Sequence, residues 1–322
     1  MKKILIIVLI VSLCMTIFAG CGNKNGDTQD PTAAPTAAPS GEPGETGPPA
    51  TDISGMQPEE YFNFDPSTGT LNGFMEEILG VTDIVIPAKI SGADVRIVAA
   101  NAFNGVGLNS VVFPETLQKI ENNAFANNNL TQIELTNNIS SLGTGVFEKN
   151  KLTEVTIPES ITEISIGLFS SNQLTKITFP DTITSIGRSA FATNKLTEIV
   201  IPPLVKVIGS FAFADNLIER VEFNDGLERI DGRAFSINKL TSITIPVSVT
   251  SIGLASEGST PPTNFERFSF SYNPQIKSVT MLGSDTVLEP FFLAENNNFR
   301  MSYTKGGAGT YTGSQYGQWT KE

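Results

Sequence analysis

Phenylalanine returns at every twenty-second position through the middle of this chain, and no other feature restricts its fold so strongly. A fixed period of this length means that one short structural unit is copied many times and stacked. Other apolar positions and one asparagine position keep the same step, so whole units are repeated rather than single residues. The phenylalanines of the series are Phe103, Phe125, Phe147, Phe169, Phe191, Phe213 and Phe235.

A single repeat already predicts its local structure. Val155 and Ile157 alternate with a polar residue, which favours a short strand with one buried face. Pro158 lacks an N–H, so it ends the strand and turns the chain. Ile164 belongs to a second apolar stretch before a turn, and Phe169 is expected to insert from a short helical or 3₁₀ turn. One such unit buries too little apolar surface to fold alone, so the repeats must stack as a solenoid.

Asparagine forms a second register with the same period, just after the phenylalanine of each unit. Asparagine side chains bond local backbone groups readily. We therefore expect this column to bond neighbouring backbone at each turn, which is a structural role rather than a ligand role. Its members are Asn128, Asn150, Asn172, Asn194, Asn216 and Asn238.

The repeat pattern resembles a known family. The sequence L-T-x-[IV]-x-I-P-x-x-I-x-x-I-G-x-x-A-F-x-x-N, as in 174–194 and 196–216, is similar to the BspA-type bacterial leucine-rich repeat, and 61–87 is similar to that family's entry cap. The resemblance covers about 53–303. It implies a right-handed leucine-rich-repeat solenoid, β-rich with short turns and a parallel sheet on one face. It implies no shared active site, and some members of the family are surface adhesins.

The first strands of the units form a predicted set of nine, and its spacing is uneven at both ends. The long first step predicts an N-terminal cap over 53–100. The last step is 14 residues too long, which places an insertion near 254–268 before Phe270 and Asn273 resume the register. The strand centres are Ile84, Val111, Ile133, Val155, Ile177, Ile199, Val221, Ile243 and Val279.

The insertion is a candidate binding protrusion. Its Phe265, Arg267 and Phe268 are of the types that anchor protein interfaces, and insertions in repeat arrays often carry recognition. The alternative is that Phe265 or Phe268 covers the edge of the terminal units, and the sequence leaves both open.

The outer face of the first strands is a second candidate surface. One of its columns contains Glu154, Lys176, Glu198 and Arg220 in successive units, and adjacent strands are close enough for these charges to pair with each other. The next column is mostly Val and Thr, which favours strand packing. It also leaves a mildly apolar strip that is suited to weak protein binding.

The segment 304–322 is rich in glycine and aromatic residues. Tyr311, Tyr316 and Trp319 are candidates for stacking on sugar rings. The same residues also fit a strand pair that closes the open end of the sheet, which a solenoid requires.

The composition excludes several chemistries. The chain has no histidine and only two cysteines, Cys14 and Cys21, so no His-dependent nucleophile or His-ligated metal site is possible. Its formal charge of −12 opposes nucleic-acid binding. The acidic pairs at 59–60 and 76–77 are neighbours in sequence, which does not place two carboxylates across a cleft. We therefore expect no enzyme activity and no cofactor.

The first residues read as an export signal. Lys2 and Lys3 precede an apolar run, and the segment 1–20 has the proportions of a secretory signal peptide. The residues around Cys21 resemble a bacterial lipobox, which implies lipidation of Cys21; ordinary cleavage and an uncleaved anchor are the alternatives. The Pro-rich stretch after it contains no Leu, Ile, Val or Phe and predicts a disordered tether over 21–52.

These observations predict an exported protein that is lipid-anchored to the outer face of the bacterial cytoplasmic membrane. Its expected function is non-catalytic protein binding or adhesion, with a partner in the cell envelope or on a host surface. The alternatives are glycan binding through the aromatic tail and a passive structural role in the envelope.

Overall fold

The computed structural model describes residues 59–75, 80–253, 269–288, 298–314 and 317–322, all of which lie in one compact unit, Thr51–Glu322. Each 22-residue repeat forms one coil with three parts: a first strand, a second strand and a turn segment. Successive coils stack in register, so that residues 22 apart become neighbours. Glu154, for example, pairs with Lys176, and Val155 pairs with Ile177.

The first strands are short because alternating residues bury only one face before the proline turns the chain. Eight of the nine predicted positions are strands within the described residues. They bond as parallel pairs, β3 with β7, β10 with β12, β14 with β16 and β18 with β20, rather than as one continuous ladder. These strands are β3 Asp83–Val85, β7 Ser110–Val112, β10 Glu154–Thr156, β12 Lys176–Thr178, β14 Glu198–Val200, β16 Arg220–Glu222, β18 Ser242–Ile245 and β20 Ser278–Met281.

The segment around Ile133 is the exception, and the prediction of a strand there is wrong. Its coil has Thr136 at the position where its neighbours carry Pro114 and Pro158. The hydroxyl of Thr136 is buried without a hydrogen-bond partner. The turn that follows is kept, since the N–H of Ile139 donates to the carbonyl of Thr136 at 3.1 Å as that of Ile161 does to Pro158, so this coil lacks only the strand.

The second strands form the longer ladders. Five strands, which begin with β1 at Phe62–Asp65 and β2 at Thr70–Phe74, pair in the order β1-β2-β6-β8-β9, and six pair in the order β11-β13-β15-β17-β19-β21. The ladder divides where the hydroxyl of Ser165, not its N–H, bonds the carbonyl of Leu142. The second strands are β6 Ile97–Val98, β8 Lys119–Ile120, β9 Ser141–Leu142, β11 Glu163–Ile164, β13 Ser185–Ile186, β15 Val207–Ile208, β17 Arg229–Ile230, β19 Ser251–Ile252 and β21 Val287–Leu288.

Glycine after the second strand allows the coils to approach closely. A Cβ on Gly187 would lie 2.7 Å from the carbonyl oxygen of Ile164 and 2.9 Å from the nitrogen of Ile166. Because glycine has no Cβ, the N–H of Gly187 comes close enough to donate to the carbonyl of Ile164 at 2.8 Å.

The turn segments are tight turns rather than helices. They contain 3₁₀-type bonds, such as the 3.0 Å bond from the N–H of Ser170 to the carbonyl of Gly167. They also bond from coil to coil, because the N–H of Phe169 donates to the carbonyl of Ala190 at 2.8 Å.

The phenylalanine column forms one continuous stack through the core. Neighbouring rings have centroids 5.3–6.0 Å apart and planes inclined by 6–15°, and all are fully buried. Phe270 joins the stack 5.4 Å from Phe235, so the register resumes after the insertion as predicted.

The asparagine column bonds backbone groups of two coils, which confirms its predicted structural role. In each case the amide Nδ2 donates to the phenylalanine carbonyl of the preceding coil at 2.7–3.0 Å. The Oδ1 accepts from a buried Leu or Ile N–H of that coil at 2.9–3.1 Å. The residues are Asn128, Asn150, Asn172, Asn194, Asn216, Asn238 and Asn273.

The N-terminal end of the described array is covered by an antiparallel hairpin, β1 with β2, which continues into the second-strand ladder because β2 pairs with β6. A smaller pair, β4 with β5, lies in the same region. The elements are a 3₁₀ helix at Glu59–Tyr61, β1 Phe62–Asp65, β2 Thr70–Phe74, β4 Lys89–Ile90 and β5 Ala93–Asp94.

The other end of the sheet is extended by two antiparallel strands. The strand β22, Gly309–Thr312, pairs with β20, and β23, Thr320–Lys321, pairs with β22. A helix, α1 at Asn298–Gly306, precedes them. This is the closing strand pair that the glycine-rich segment predicted as one of its two readings.

Candidate functional site

The outer face of the first strands contains one of the predicted ion pairs. Arg220 Nη2 lies 2.7 Å from Glu198 Oε2, and both side chains are well exposed. Within the described residues Lys176 forms no ion pair with Glu154 or Glu198, so the charges of this column are only partly paired. An exposed pair of this kind contributes about 0–1 kcal/mol.

The apolar strip beside this column is interrupted. Val112 is 38% exposed and Val200 is 60% exposed, but Glu134, Thr156 and Thr178 stand between them. The strip therefore offers small β-branched contacts rather than a continuous apolar surface.

The predicted contact residues of the insertion, Phe265, Arg267 and Phe268, lie outside the described residues, as does Cys21. The residues on either side of the insertion keep their bonds to the preceding coil. Gly253 N–H donates to the carbonyl of Ile230 at 2.9 Å, and Ser269 Oγ donates to the carbonyl of Asp231 at 2.9 Å. Gly253 and Ser269 therefore both lie near the start of a turn segment.

Two of the three tail aromatics are in the core. Trp319 is 5% exposed and Tyr311 is fully buried. Both pack edge-on against Phe299, at 5.3 and 5.4 Å between ring centroids. Burial raises the pKa of Tyr311 above its ordinary value. The rings of Trp319 and Tyr311 thus present no open face to a sugar in this arrangement; Tyr316 lies outside the described residues.

The acidic residues of the described chain serve local structure. Glu59 Oε2 accepts the N–H of Ser91 at 2.8 Å, which ties the 3₁₀ helix to the cap. Lys119 donates to Glu121 at 2.8 Å, and this bond is the main reason why the pKa of Glu121 is lowered. Across the described ranges, no three His, Cys, Asp or Glu side chains converge to hold a metal ion.

The turn segments carry a surface that the sequence analysis did not identify. Two positions in each segment have left-handed backbone, with φ between 55° and 62° from coil to coil over the stretch 123–237. The N-terminal coils place Asn123, Gly145, Gly167 and Asn127 there, residues that adopt this conformation readily.

The C-terminal coils place bulky residues at these positions, apart from Asp215 with φ 56°. Phe211 has φ 61° and Arg233 has φ 59°, while Ile237 and Tyr272 have φ 57° and 56°. Ile237 is 45% exposed and Tyr272 is 50% exposed. A β-branched or aromatic residue in left-handed backbone is uncommon and strained.

Arginine side chains stack on two of these rings, the partly buried Phe211 and the exposed Tyr272. The guanidinium carbon of Arg188 lies 5.6 Å from the Phe211 ring centroid, and that of Arg233 lies 5.7 Å from the same centroid. Arg233 also lies 6.0 Å from the ring of Tyr272. These are cation–π distances. We call Arg188, Phe211, Arg233, Ile237 and Tyr272 the Arg–aromatic ledge.

The family model for the BspA type leucine rich repeat region matches six copies in this chain, over residues 72–197 and 162–300. These ranges cover most of the stacked coils described above. The chain belongs to the BspA-type leucine-rich repeat family. This BspA-type assignment and the stacked coils together confirm the predicted solenoid.

One solved structure supports the leucine-rich-repeat fold of this BspA-type chain. A leucine-rich repeat protein from Bacteroides ovatus is 23% identical, with a TM-score of 0.53 over 69% of this chain and 70% of that one. A leucine rich cell surface protein from Faecalibacterium prausnitzii is 21% identical, with a TM-score of 0.42 over 70% of this chain and 75% of that one. At these identities the likeness concerns the fold alone. No curated protein matches this BspA-type chain.

Proposed function

We propose that this protein is a non-catalytic module that binds other proteins at the outer surface of a bacterial cell. The observation that supports this most directly is how the described interior is used. Its phenylalanines stack on each other and its buried asparagines bond backbone, so core side chains form structure rather than a reaction site. Outer surfaces remain as the parts available for function.

Display outside the cell rests on the leader. The basic start, the apolar run and the lipobox-like residues before Cys21 support export and lipid attachment at that sulfur. More than one acyl chain is needed for stable anchoring, since each buried CH₂ contributes about 0.8 kcal/mol. No helix of the described residues is both long enough and apolar enough to span a bilayer.

Anchoring is tested by Cys21→Ser in the full-length chain. We expect the variant to leave the membrane fraction and to lose incorporation of labelled fatty acid. A variant that stays in the membrane fraction with normal labelling would contradict attachment at Cys21.

Protein binding is tested by capture on intact cells with a lysine-reactive crosslinker that does not cross membranes. Thr178→Glu with Val200→Glu places two charges on the outer face of the first strands, and Thr162→Glu with Thr184→Glu is a matched double change on another exposed face. A protein partner that is lost when one outer face is charged, and retained when another is, supports the proposal. Recovery of no partner under varied growth conditions would count against it.

A further inference from the structure

Charge is distributed unequally around the coils. Between Leu108 and Gly253 the chain has eleven Lys and Arg residues and fifteen Asp and Glu residues. Six of those eleven cations, but only two of the fifteen acids, lie in the turn segments 122–129, 144–151, 166–173, 188–195, 210–217 and 232–239. The turn segments are therefore a positive surface on an acidic protein.

The ledge lies within the more positive part of this surface. Lys195 and Lys239 are exposed and lie in the same coils as Arg188 and Arg233. The four turn segments 166–173, 188–195, 210–217 and 232–239 contain one acid, Asp215. At physiological ionic strength the Debye length is about 8 Å. A bound group therefore experiences mainly these local cations rather than the net negative charge of the whole chain.

The fold does not require a bulky side chain at the left-handed position of Phe211. Gly145 and Gly167 make the same turn in earlier coils at φ 62°. The N–H of Phe211 donates to the carbonyl of Gly232 at 3.1 Å, much as that of Gly167 donates to Arg188 at 2.8 Å, and neither bond depends on a side chain. A strained residue that packing does not demand points to a functional role.

The mixture of side chains selects the partner. Guanidinium groups match carboxylates, and aromatic rings with arginine are common anchors of protein interfaces. Ile237 adds an exposed aliphatic side chain, which suits the apolar side chains of a polypeptide better than the hydroxyl-rich surface of a sugar. On this chemistry an acidic polypeptide fits better than an acidic polysaccharide.

We infer that the Arg–aromatic ledge is a docking surface for an acidic polypeptide segment that also carries aromatic or aliphatic side chains. This inference rests on the proposed protein-binding function, and it specifies which surface binds and which chemistry the partner has.

The test measures binding of the full-length chain to a random glutamate–tyrosine copolymer, with polyglutamate and polygalacturonate as comparison probes. Arg188→Glu and Arg233→Glu should each weaken copolymer binding about tenfold or more. Lys206→Glu changes the net charge equally on another face and should change affinity much less.

A second set of variants separates binding from folding. Phe211→Asn and Ile237→Asn introduce the residue that earlier coils use at these left-handed positions, at Asn123 and Asn127. Both should weaken copolymer binding while the melting temperature stays equal or rises. Leu204→Asn removes an exposed apolar side chain from a different turn and should leave binding unchanged.

Three results would overturn the inference. They are equal copolymer binding by ledge and control variants, a fall in melting temperature that accounts for the lost binding, and tighter binding of polygalacturonate than of the copolymer. If these variants still capture a protein partner on intact cells, the ledge inference fails while the proposed function stands. If no partner is captured even by the wild-type chain, the proposed function itself fails.

Discussion

The side-chain amide of Asn172 donates a 2.9 Å hydrogen bond to the backbone carbonyl of Phe147, one coil earlier in the stack. The same side chain accepts the buried N–H of Leu152 at 3.0 Å. One asparagine thus bonds two buried backbone groups of the preceding coil. The repetition of this arrangement links every described coil from Phe103 to Asn273.

Replacing Asn172 with alanine should destabilise the protein substantially. The change leaves the buried N–H of Leu152 without a partner, which costs about 1–3 kcal/mol, while the Phe147 carbonyl keeps a 3.2 Å bond from Asn150. Urea unfolding of the full-length chain measures the loss. Ser171→Ala, one residue earlier on the surface, should change stability by about 0.5 kcal/mol or less. Equal stability of the two variants would show that the asparagine column is dispensable.

The phenylalanine stack should be sensitive to volume. The ring centroid of Phe169 lies 5.6 Å from that of Phe147 and 5.7 Å from that of Phe191, and Phe169 has no exposed surface. Phe169→Ala leaves a cavity and should cost about 3–5 kcal/mol. Phe211, which is partly buried and lies outside the stack, is the matched control, because Phe211→Ala leaves no cavity in the stack. A Phe169→Ala chain that unfolds at the same urea concentration as the Phe211→Ala chain would contradict a continuous aromatic core.

These two columns could be predicted from the sequence because they are identical in almost every repeat. A residue type that recurs at one position must meet the same environment each time, so burial and bonding follow from periodicity. The break in the second-strand ladder could not be predicted, because it depends on a local exception. The hydroxyl of Ser165 takes a carbonyl that a backbone N–H bonds in other coils.

The ledge was missed for the opposite reason. Phe211, Ile237 and Tyr272 are departures from the repeat, and an apolar residue in a repeat protein is normally assigned to the core. A usable signal was present, since the same two columns contain Asn, Gly and Ser in earlier coils. Bulky residues that appear where left-handed backbone is expected are candidates for function rather than packing.

The strand pair at the C-terminal end should protect the sheet edge. Because β22 bonds β20 along its length, removing it exposes unpaired N–H and C=O groups. Gly313→Trp would place its Cβ 2.7 Å from an atom of Trp319 and should open this pair. Light scattering should then detect association that the wild-type chain does not show. Thr312→Ser, a mild change in the same strand, should remain monodisperse if the wild type does, and equal behaviour of all three chains would contradict edge protection.

The cap hairpin should respond to acid through Asp65. Hydrogen bonds from the side chain and N–H of Ser67, and from Thr68, lower the pKa of this carboxyl. Because the pKa of Asp65 is lower in the folded than in the unfolded chain, its ionised carboxyl stabilises the cap at pH values above the ordinary pKa of 3.8. This stabilisation is lost as the pH falls through the folded pKa. Titration of Asp65 by NMR should show the lowered pKa, and Ser67→Ala with Thr68→Val should raise it. An unchanged titration in the double variant would contradict this origin.

Photo-crosslinking on intact cells tests most directly whether the interior holds the coils together while the outer surface contacts other proteins. A photoreactive amino acid is placed in the full-length chain at Ile237, or at Ser171, which occupies the same coil position three coils earlier. We predict a discrete adduct with another protein from position 237 and little or none from position 171. A third photoreactive position is Thr178 on the first-strand face. If the chain is exported and folded but none of the three positions gives a protein adduct, the account is contradicted.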